Sequence, residues 1–346
     1  MIANAARLLA QLRTIQAAIR DAVVTVCEQQ AIEQLSLVVA EQAGDTIFAI
    51  DRISEEVLIE HFSVLSQERS FVLIAEGLGE DGIMTFPAGT APDEAELRII
   101  IDPIDGTRGL MYQKRAAWIL TGVAPNRGPL TGLHDIEIAL QTEIPLVKQH
   151  LSDTLWAMAG QGAQGERVNR ITGEHSPLQI QPSQATTIAN GYGSIARFFP
   201  GGRAELAEIE DTVIDRILGP GSEGRARTFE DQYISSGGQL YELLVGHDRW
   251  IADLRPGIDA QMRARGQIFG LCGHPYDLCT ELIAREAGII VTDEHGELLA
   301  APLDVTSNVT WIGYANQAIQ QQVAPVLHDA LRQRGLFTSQ TTKEYT

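Results

Sequence analysis

The sequence predicts a layered α/β or α+β fold, and three observations support that prediction. Segments with strand character and segments with helical spacing interleave irregularly along the chain, which favours packed layers over a barrel. No internal repeat of roughly 20–50 residues is visible, which excludes solenoids and propellers. The 346 residues are 44% hydrophobic and 21% charged, a composition typical of a chain that buries a core.

In the N-terminal half, residues 3–40 place apolar side chains at helical spacing and predict one or two amphipathic helices. A short strand-like run, Thr46–Ile50, comes next. Further strand-like runs follow at Phe71–Ala75, Arg98–Ile101, Ala117–Val123, Asp135–Leu140 and Thr154–Ala159. The first two of these runs lead directly into a carboxylate, Glu76 and Asp102 respectively. The glycine-rich, polar segment Gly160–Gly173 predicts a turn between strands.

The segment Pro182–Gly193 is rich in Pro, Ser, Asn and Gly and is the candidate domain boundary. We therefore expect an N-terminal α+β domain at 1–186, a C-terminal α/β domain at 187–337, and a tail at 338–346. Helices are predicted at Arg203–Leu218, Gln239–Val245, Pro275–Ala287 and Asn316–Leu331, and strands at Ile268–Leu271, Ile289–Val291 and Trp311–Ala315.

The charge of the chain excludes several classes of partner. Its 26 Lys and Arg against 45 Asp and Glu give a net charge of −19, which repels nucleic acid and anionic membrane surfaces. Three cysteines, Cys27, Cys272 and Cys279, are too few for a disulfide framework and indicate a reducing compartment. No apolar run is long enough to span a bilayer, and the N-terminus lacks a signal-peptide pattern. A cytoplasmic location is the expectation.

The most informative segment follows the second buried strand. Asp102 ends the strand, Pro103 turns the chain, and Asp105 follows three residues after Asp102. Gly106 permits close backbone approach to a ligand, and Thr107 adds a hydroxyl. Two carboxylates and a hydroxyl are oxygen donors that suit a hard divalent cation.

Ordinary structural interpretations exist for each acidic residue taken alone. An Asp-x-x-Asp-Gly segment is common in plain turns. Glu76 could be a solvated residue at a strand end, Asp277 a helix N-cap, and Asp45 a turn residue. The complete string from Asp102 to Thr107 after a hydrophobic strand is much more specific than any of these.

That complete string resembles the signature of the inositol monophosphatase-like family of Mg²⁺-dependent, lithium-sensitive phosphomonoesterases, relatives of fructose-1,6-bisphosphatase. Three further motifs follow the order of that family: an acidic segment that begins at Asp45, a glutamate after a strand at Glu76, and Asp277 at the start of a helix. The resemblance extends over about residues 45–300. The family pattern does not account for residues 190–235 or for the extra stretch at about 255–270.

This chain departs from the family pattern at three motif positions. Phe48 stands where the family has threonine, Gly77 where it has a second glutamate, and Tyr276 where it has tryptophan. The metal-ligating positions themselves are retained.

The resemblance implies a layered α-β-α-β-α sandwich with a larger antiparallel sheet, a smaller mixed sheet, and the site between the two halves. It implies two or three Mg²⁺ ions and inhibition by Li⁺. The first ion would be held by Glu76, Asp102 and the carbonyl of Ile104, and the second by Asp102, Asp105 and Asp277.

The resemblance also implies catalytic and substrate-binding roles. Glu76 and Thr107 would orient the attacking water, with Asp45 close to them. The implied substrate-binding residues are Asp105, Gly106, Thr107, Gly238, Gln239 and Asp277. The implied substrate is a small phosphorylated metabolite such as inositol monophosphate, and the implied assembly is a homodimer.

Two alternatives stay open on the sequence. The substrate could be fructose-1,6-bisphosphate or a 3′-phosphoadenosine nucleotide, since relatives hydrolyse these. A catalytically weak relative that only binds a phosphorylated metabolite is the alternative from another class, and the Gly77 departure keeps it open.

Overall fold

The structure is a computed structural model of the chain. It describes residues 1–30, 35, 38–42, 45–79, 81–221, 224–267 and 271–336, with the backbone alone for 38–42 and 45–56. The predicted strand at Ile268–Leu271 lies outside the described residues except for Leu271, which is not in a strand. The predicted tail at 338–346 lies wholly outside them.

The regular elements alternate irregularly along the chain, as the sequence predicts. The helices are α1 Ala5–Gln29, α2 Ala49–Leu65, α3 Thr107–Met111, α4 Arg203–Leu218, α5 Ser236–Leu244, α6 Arg255–Ala264, α7 Pro275–Leu278, α8 Glu281–Glu286 and α9 Gln317–Arg334. The first ten strands are β1 Val38–Gln42, β2 Asp45–Phe48, β3 Phe71–Ile74, β4 Ile83–Phe86, β5 Leu97–Asp105, β6 Ala117–Pro125, β7 Ile138–Ile144, β8 Leu151–Met158, β9 Ala163–Asn169 and β10 His175–Pro177. The other strands are β11 Tyr192–Ile195, β12 Asp248–Asp253, β13 Ile290–Thr292 and β14 Trp311–Tyr314.

In the described residues, five layers are held together by three hydrophobic cores, the second of which extends on both sides of the middle helices. The first core lies between α1 and α2 and one face of a large sheet. The second lies between the other face of that sheet, the helices α5, α7 and α8, and a small sheet. The third lies between the small sheet and α4, α6 and α9. This is the predicted α-β-α-β-α sandwich, and the fold class is confirmed.

The large sheet has eight strands in the order β10-β9-β8-β7-β6-β5-β3-β4. All neighbours are antiparallel except β3 and β5, which run parallel. Strand β5 is central and buried on both faces: Ile99 and Ile101 enter the first core and Ile100 enters the second. This alternation follows from the period of two in a strand.

The small sheet has four strands in the order β11-β12-β14-β13. Strands β11 and β12 are parallel and the other pairs are antiparallel, so the sheet is mixed. The predicted domain boundary after residue 186 falls between β10 and β11. The division into two domains stays a prediction.

Two predicted elements are wrong. Gly160–Gly173 is not a turn but contains strand β9, whose residues are mostly half-buried, so glycine and polar side chains are tolerated there. The predicted helix Pro275–Ala287 is two short helices, α7 and α8. At the break, the backbone of Cys279 packs against Gly122. A Cβ at position 122 would lie 2.8 Å from the Cys279 carbonyl oxygen, so a glycine leaves room for this contact. Within the described residues, no helix combines the length and apolar character needed to cross a bilayer.

Candidate metal centre

A cavity of about 160 Å³ opens at the carboxyl ends of β3 and β5. Because these strands are parallel neighbours, the residues that follow them meet at one edge of the sheet. Glu76 lies two residues after the end of β3, and Asp102 lies near the end of β5. Both line the cavity, together with Asp277 from α7.

Strand β5 changes its pairing where the signature begins. Its register with β6 shifts between Asp102 and Asp105, so the two residues between these carboxylates leave the regular ladder. The Asp102 carboxylate accepts a hydrogen bond of 2.9 Å from the backbone N–H of Ile104. Gly106 then adopts a left-handed φ of 98° and starts α3. The Thr107 hydroxyl donates to the Ile104 carbonyl at 2.7 Å, which ties the turn together.

Asp105 is buried and held from the start of α5. Its Oδ2 atom accepts hydrogen bonds from the backbone N–H of Gly237 at 2.6 Å and from the Ser235 hydroxyl at 2.8 Å. A glycine is required at 237, because a Cβ there would lie 2.5 Å from the Leu120 side chain and 3.0 Å from Asp105 Oδ2. The Ser235 hydroxyl also accepts from the N–H of Gly238 at 2.8 Å and so caps the helix.

Asp277 reaches the cavity from the first turn of α7. Its Oδ2 atom accepts a hydrogen bond of 2.7 Å from the backbone N–H of His274. The His274 ring lies 2.9 Å from the Ser307 carbonyl through Nδ1 and contacts the Tyr276 ring with centroids 5.3 Å apart. Asp277 is therefore not the N-cap, a position that His274 holds: it is the third residue of the helix, and its carboxylate reaches back to the His274 N–H while it lines the cavity.

The carboxylates of Asp102, Asp105 and Asp277 converge, with one oxygen from each lying within 4.8 Å of the others. Burial, followed by the charges of Asp105, Asp277 and Glu76, raises the pKa of Asp102 well above its usual range. Burial and the Asp277 charge raise the pKa of Asp105 to about 8. Burial raises the pKa of Asp277 to about 6, and the neighbouring His274 and Arg255 work against the increase.

This arrangement fits a hard divalent cation. Negative charges this close together repel one another, and a cation between them offsets the repulsion. The cation also replaces the stabilisation by water that these carboxylates lose on burial. The three groups that converge are all carboxylates, and Mg²⁺ prefers oxygen ligands. The residues present therefore fit the predicted ion.

The structure brings most of the predicted site residues together. Those that line the cavity are Glu76, Asp102, Ile104, Asp105, Gly106, Thr107 and Asp277. Glu76 is exposed and raises the pKa of Asp102 through its charge. Their functional roles stay predictions.

Two predicted substrate-binding residues do not line the cavity. Gly238 lies within α5 and donates to the Ser235 hydroxyl. Gln239 is buried, and its side-chain amide donates to the Tyr233 carbonyl at 3.1 Å. The side chain of Asp45 lies outside the described part of the structure, which gives only the backbone of this residue, at the start of β2.

Sequence reasoning missed the opposite side of the cavity. Phe198, Phe199, Arg255 and Arg108 line it there. Arg255 is 4% exposed and forms a bidentate ion pair with Asp253, which is fully buried. The only sequence pattern that points to this ion pair is Asp253 followed two residues later by Arg255. That pattern does not distinguish a buried pair at a cavity from a solvated pair on the surface.

Comparison with known proteins comes from solved structures. Neither the protein-family models nor the curated proteins give a match to this sequence. A fructose-1,6-bisphosphatase of Leishmania major in holo form aligns with a TM-score of 0.67 at 16% identity, over 94% of both chains. An IMPase of Thermotoga maritima aligns with a TM-score of 0.59 at 17% identity, over 94% of this chain and 99% of that one.

A third structure, the extragenic suppressor protein SuhB of Bartonella henselae, aligns with a TM-score of 0.61 at 14% identity, over 93% of this chain and 98% of that one. At such identities the likeness establishes the fold and covers nearly the whole chain. The chain therefore has the fold shared by these fructose-1,6-bisphosphatase and IMPase structures.

Proposed function

We propose that the protein is a Mg²⁺-dependent phosphomonoesterase that hydrolyses a small phosphorylated metabolite such as inositol monophosphate. One observation carries the proposal: the carboxylates of Asp102, Asp105 and Asp277, from segments about 175 residues apart, converge within 4.8 Å beside a cavity. A stable fold does not need three enclosed like charges, whereas a divalent cation does.

The donors divide into two groups around Asp102. Glu76 and the Ile104 carbonyl would complete one ligand group with Asp102, while Asp105 from the same strand and Asp277 from α7 would complete the other. Asp102 would be shared between two ions, so its loss is the most damaging substitution. When bound, Mg²⁺ would supply positive charge for the phosphate oxygens and acidify the attacking water.

The chain itself would orient the reactants. The Thr107 hydroxyl, which donates to the Ile104 carbonyl at 2.7 Å, can accept a hydrogen bond from a water in the cavity, and the Glu76 carboxylate can accept a second. Gly106 and Thr107 line the cavity beside the carboxylates, and their backbone N–H groups would serve as donors to phosphate oxygens. Their exact positioning depends on the left-handed turn at Gly106.

The charge of the site makes substrate binding depend on the ion. The protein carries a net charge of −19, and the cavity presents four carboxylates to a dianionic phosphate. The cation must bind before the phosphate or together with it, because it inverts the local sign. Li⁺ is expected to inhibit, since it would compete for the same oxygens.

A second substrate class has support from one comparison. The Leishmania major structure is a fructose-1,6-bisphosphatase, which favours a sugar bisphosphate as the alternative substrate. A relative that binds a phosphorylated metabolite without hydrolysing it is the alternative from another class. Phosphate release separates these possibilities.

The experiment is a phosphate-release assay on a panel of inositol monophosphate, fructose-1,6-bisphosphate, a 3′-phosphoadenosine nucleotide and glycerol 2-phosphate. The wild type is measured in Mg²⁺ and in EDTA, and Asp102→Asn in Mg²⁺. Asp93→Asn is the matched control, because Asp93 is exposed and does not line the cavity. We expect release by the wild type and by the Asp93 variant only in Mg²⁺, and a loss of at least about 100-fold in the Asp102 variant. Release that persists in EDTA contradicts the proposal, and so does the absence of release from every ester.

The same proposal includes the assembly and the location of the protein. We expect a cytoplasmic homodimer that binds neither nucleic acid nor membranes, because the net charge of −19 repels both kinds of anionic surface. Light scattering checks the dimer.

A further inference from the structure

The cavity has a second wall that the metal chemistry does not use. Phe198 and Phe199 line it, and their rings meet edge to face with centroids 4.9 Å apart and an interplanar angle of 80°. We call these two side chains the aromatic wall. Both are partly exposed to the cavity that holds the carboxylates of Asp102, Asp105 and Asp277.

The backbone of the aromatic wall is fixed by one arginine. The Arg203 guanidinium donates to three successive carbonyls, those of Arg197 at 3.1 Å, Phe198 at 2.5 Å and Phe199 at 2.9 Å. Arg197 is fixed in turn by a 2.6 Å ion pair with buried Glu210. The segment is therefore a built surface and not a freely moving loop.

Two arginines that also line the cavity lie against the rings. The Arg255 guanidinium carbon lies 4.5 Å from the centre of the Phe198 ring and 5.5 Å from that of Phe199. The Arg108 guanidinium carbon lies 5.3 Å from the Phe199 ring centre. Because Arg255 is paired with Asp253, its charge is offset, and the wall presents flat rings to the cavity more than it presents positive charge.

We propose that the aromatic wall binds the alcohol part of the substrate by stacking, and selects phosphate esters that carry a ring over open-chain esters of similar size. The inference rests on the proposed function, because the phosphate would lie at the carboxylates in the same cavity. A fixed pair of rings offers contact area at little cost in conformational entropy, and it stacks on the flat face of a ring. A flexible open chain of the same size presents no flat face to the rings and loses more conformational freedom on binding.

The test uses phosphonates, which bind like phosphate esters but have a carbon–phosphorus bond that this hydrolysis does not break. The probes are benzylphosphonate and heptylphosphonate, which have the same number of carbons, each titrated calorimetrically into the full chain in Mg²⁺. The variants are Phe198→Leu and Phe199→Leu, which keep apolar bulk but remove the ring, and Phe198→Tyr, which restores one. Phe229→Leu is the matched control, since Phe229 stacks on Tyr192 outside the cavity.

The wild type and the Phe229 variant should bind benzylphosphonate at least about tenfold more tightly than the open-chain probe. Each leucine variant in the wall should reduce this preference about fivefold, and Phe198→Tyr should retain it. The inference is overturned if the wild type binds the two probes with equal affinity. It is also overturned if the wild type binds neither probe detectably. A preference unchanged in both leucine variants overturns it as well. The wild-type comparison decides the matter even where a variant does not fold.

Failure of the proposed function gives a different result. In that case the phosphate-release assay detects no hydrolysis of any ester, whatever the phosphonate affinities are. Conversely, release that proceeds equally well from ring and open-chain esters, with KM unaffected by Phe198→Leu, contradicts the stacking subsite and leaves the phosphatase proposal standing.

Discussion

Replacing Asp102 by asparagine should change stability in opposite directions with and without Mg²⁺. The substitution removes one of three charges whose oxygens lie within 4.8 Å of one another. It keeps the side-chain oxygen that accepts the 2.9 Å hydrogen bond from the Ile104 N–H. The change is therefore almost purely one of charge.

The magnitude follows from the geometry. Two unit charges at the 4.8 Å limit of the cluster repel by about 3 kcal/mol at an effective dielectric constant of about 20. The metal-free protein escapes part of this repulsion, because the raised pKa values of Asp102 and Asp105 let the carboxyls hold protons. We expect Asp102→Asn to raise the free energy of unfolding by about 1–2 kcal/mol in EDTA. In Mg²⁺ at about 100 times its Kd, the wild type should gain about 2.7 kcal/mol, and the variant should lose that gain.

The assay is urea unfolding of the wild type, Asp102→Asn and the control Asp93→Asn, each in EDTA and in Mg²⁺. The Asp93 variant should respond to Mg²⁺ as the wild type does. The reasoning is refuted if Asp102→Asn is less stable than the wild type in EDTA, or if Mg²⁺ stabilises both proteins equally.

Three further predictions concern single groups. Thr107→Val removes the hydroxyl that donates to the Ile104 carbonyl, so kcat for phosphate release should fall about 100-fold. Thr107→Ser keeps the hydroxyl and should stay active. Equal kcat values in the valine variant and the wild type contradict this prediction. Burial raises the pKa of Glu143 from 4.5 to about 7, so its proton stabilises the fold at low pH and that stability is lost as pH rises through 7. Relative to Glu143→Gln, the wild type should therefore lose about 3 kcal/mol in urea unfolding between about pH 5 and about pH 8, and a pH-independent difference refutes the assignment. Asp253→Asn should destabilise the fold by about 3 kcal/mol in urea unfolding, because it leaves the Arg255 charge buried without an opposite charge. Adding Arg255→Met should restore most of this loss. A double variant no more stable than the single one would count against the prediction.

The acidic edge of the large sheet was predictable from sequence for a physical reason. A hydrophobic run such as Phe71–Ile74 or Ile99–Ile101 can only be a buried strand in this context, and the carboxylate that follows it must lie at the edge of the sheet, where water or an ion can reach it. That reasoning places Glu76 and Asp102 at strand ends. Their meeting at one edge depends on the parallel pairing of β3 and β5, which no local pattern reveals.

The position of Asp277 shows where local reasoning ends. Its sequence context suggests an N-cap, but His274 holds that position, and Asp277 accepts the hydrogen bond of the His274 N–H from the third position of the helix. Its approach to Asp102 is a contact between residues 175 positions apart, which only the family resemblance anticipated. The break between α7 and α8 was also invisible, because it comes from the close approach of Cys279 to Gly122 on another element.

The aromatic wall and the pair behind it were missed for the same reason. Phe198 and Phe199 precede a proline and two glycines, a pattern that predicts a loop and says nothing of what the loop faces. Arg255 follows Asp253 by two residues, and its burial arises only when β12, α6 and the Phe198 ring enclose it. Such sites are assembled by tertiary packing of segments that look ordinary one at a time.

The central claim is that Asp102, Asp105 and Asp277 together bind a divalent cation. The most direct measurement is anomalous diffraction from crystals grown with Mn²⁺, which takes the same oxygen ligands as Mg²⁺ and scatters strongly enough to be located. The account predicts an anomalous peak between these three carboxylates in the wild type that is absent in Asp102→Asn. Crystals soaked in excess Mn²⁺ that show no peak there, with the three carboxylates in place, would contradict it.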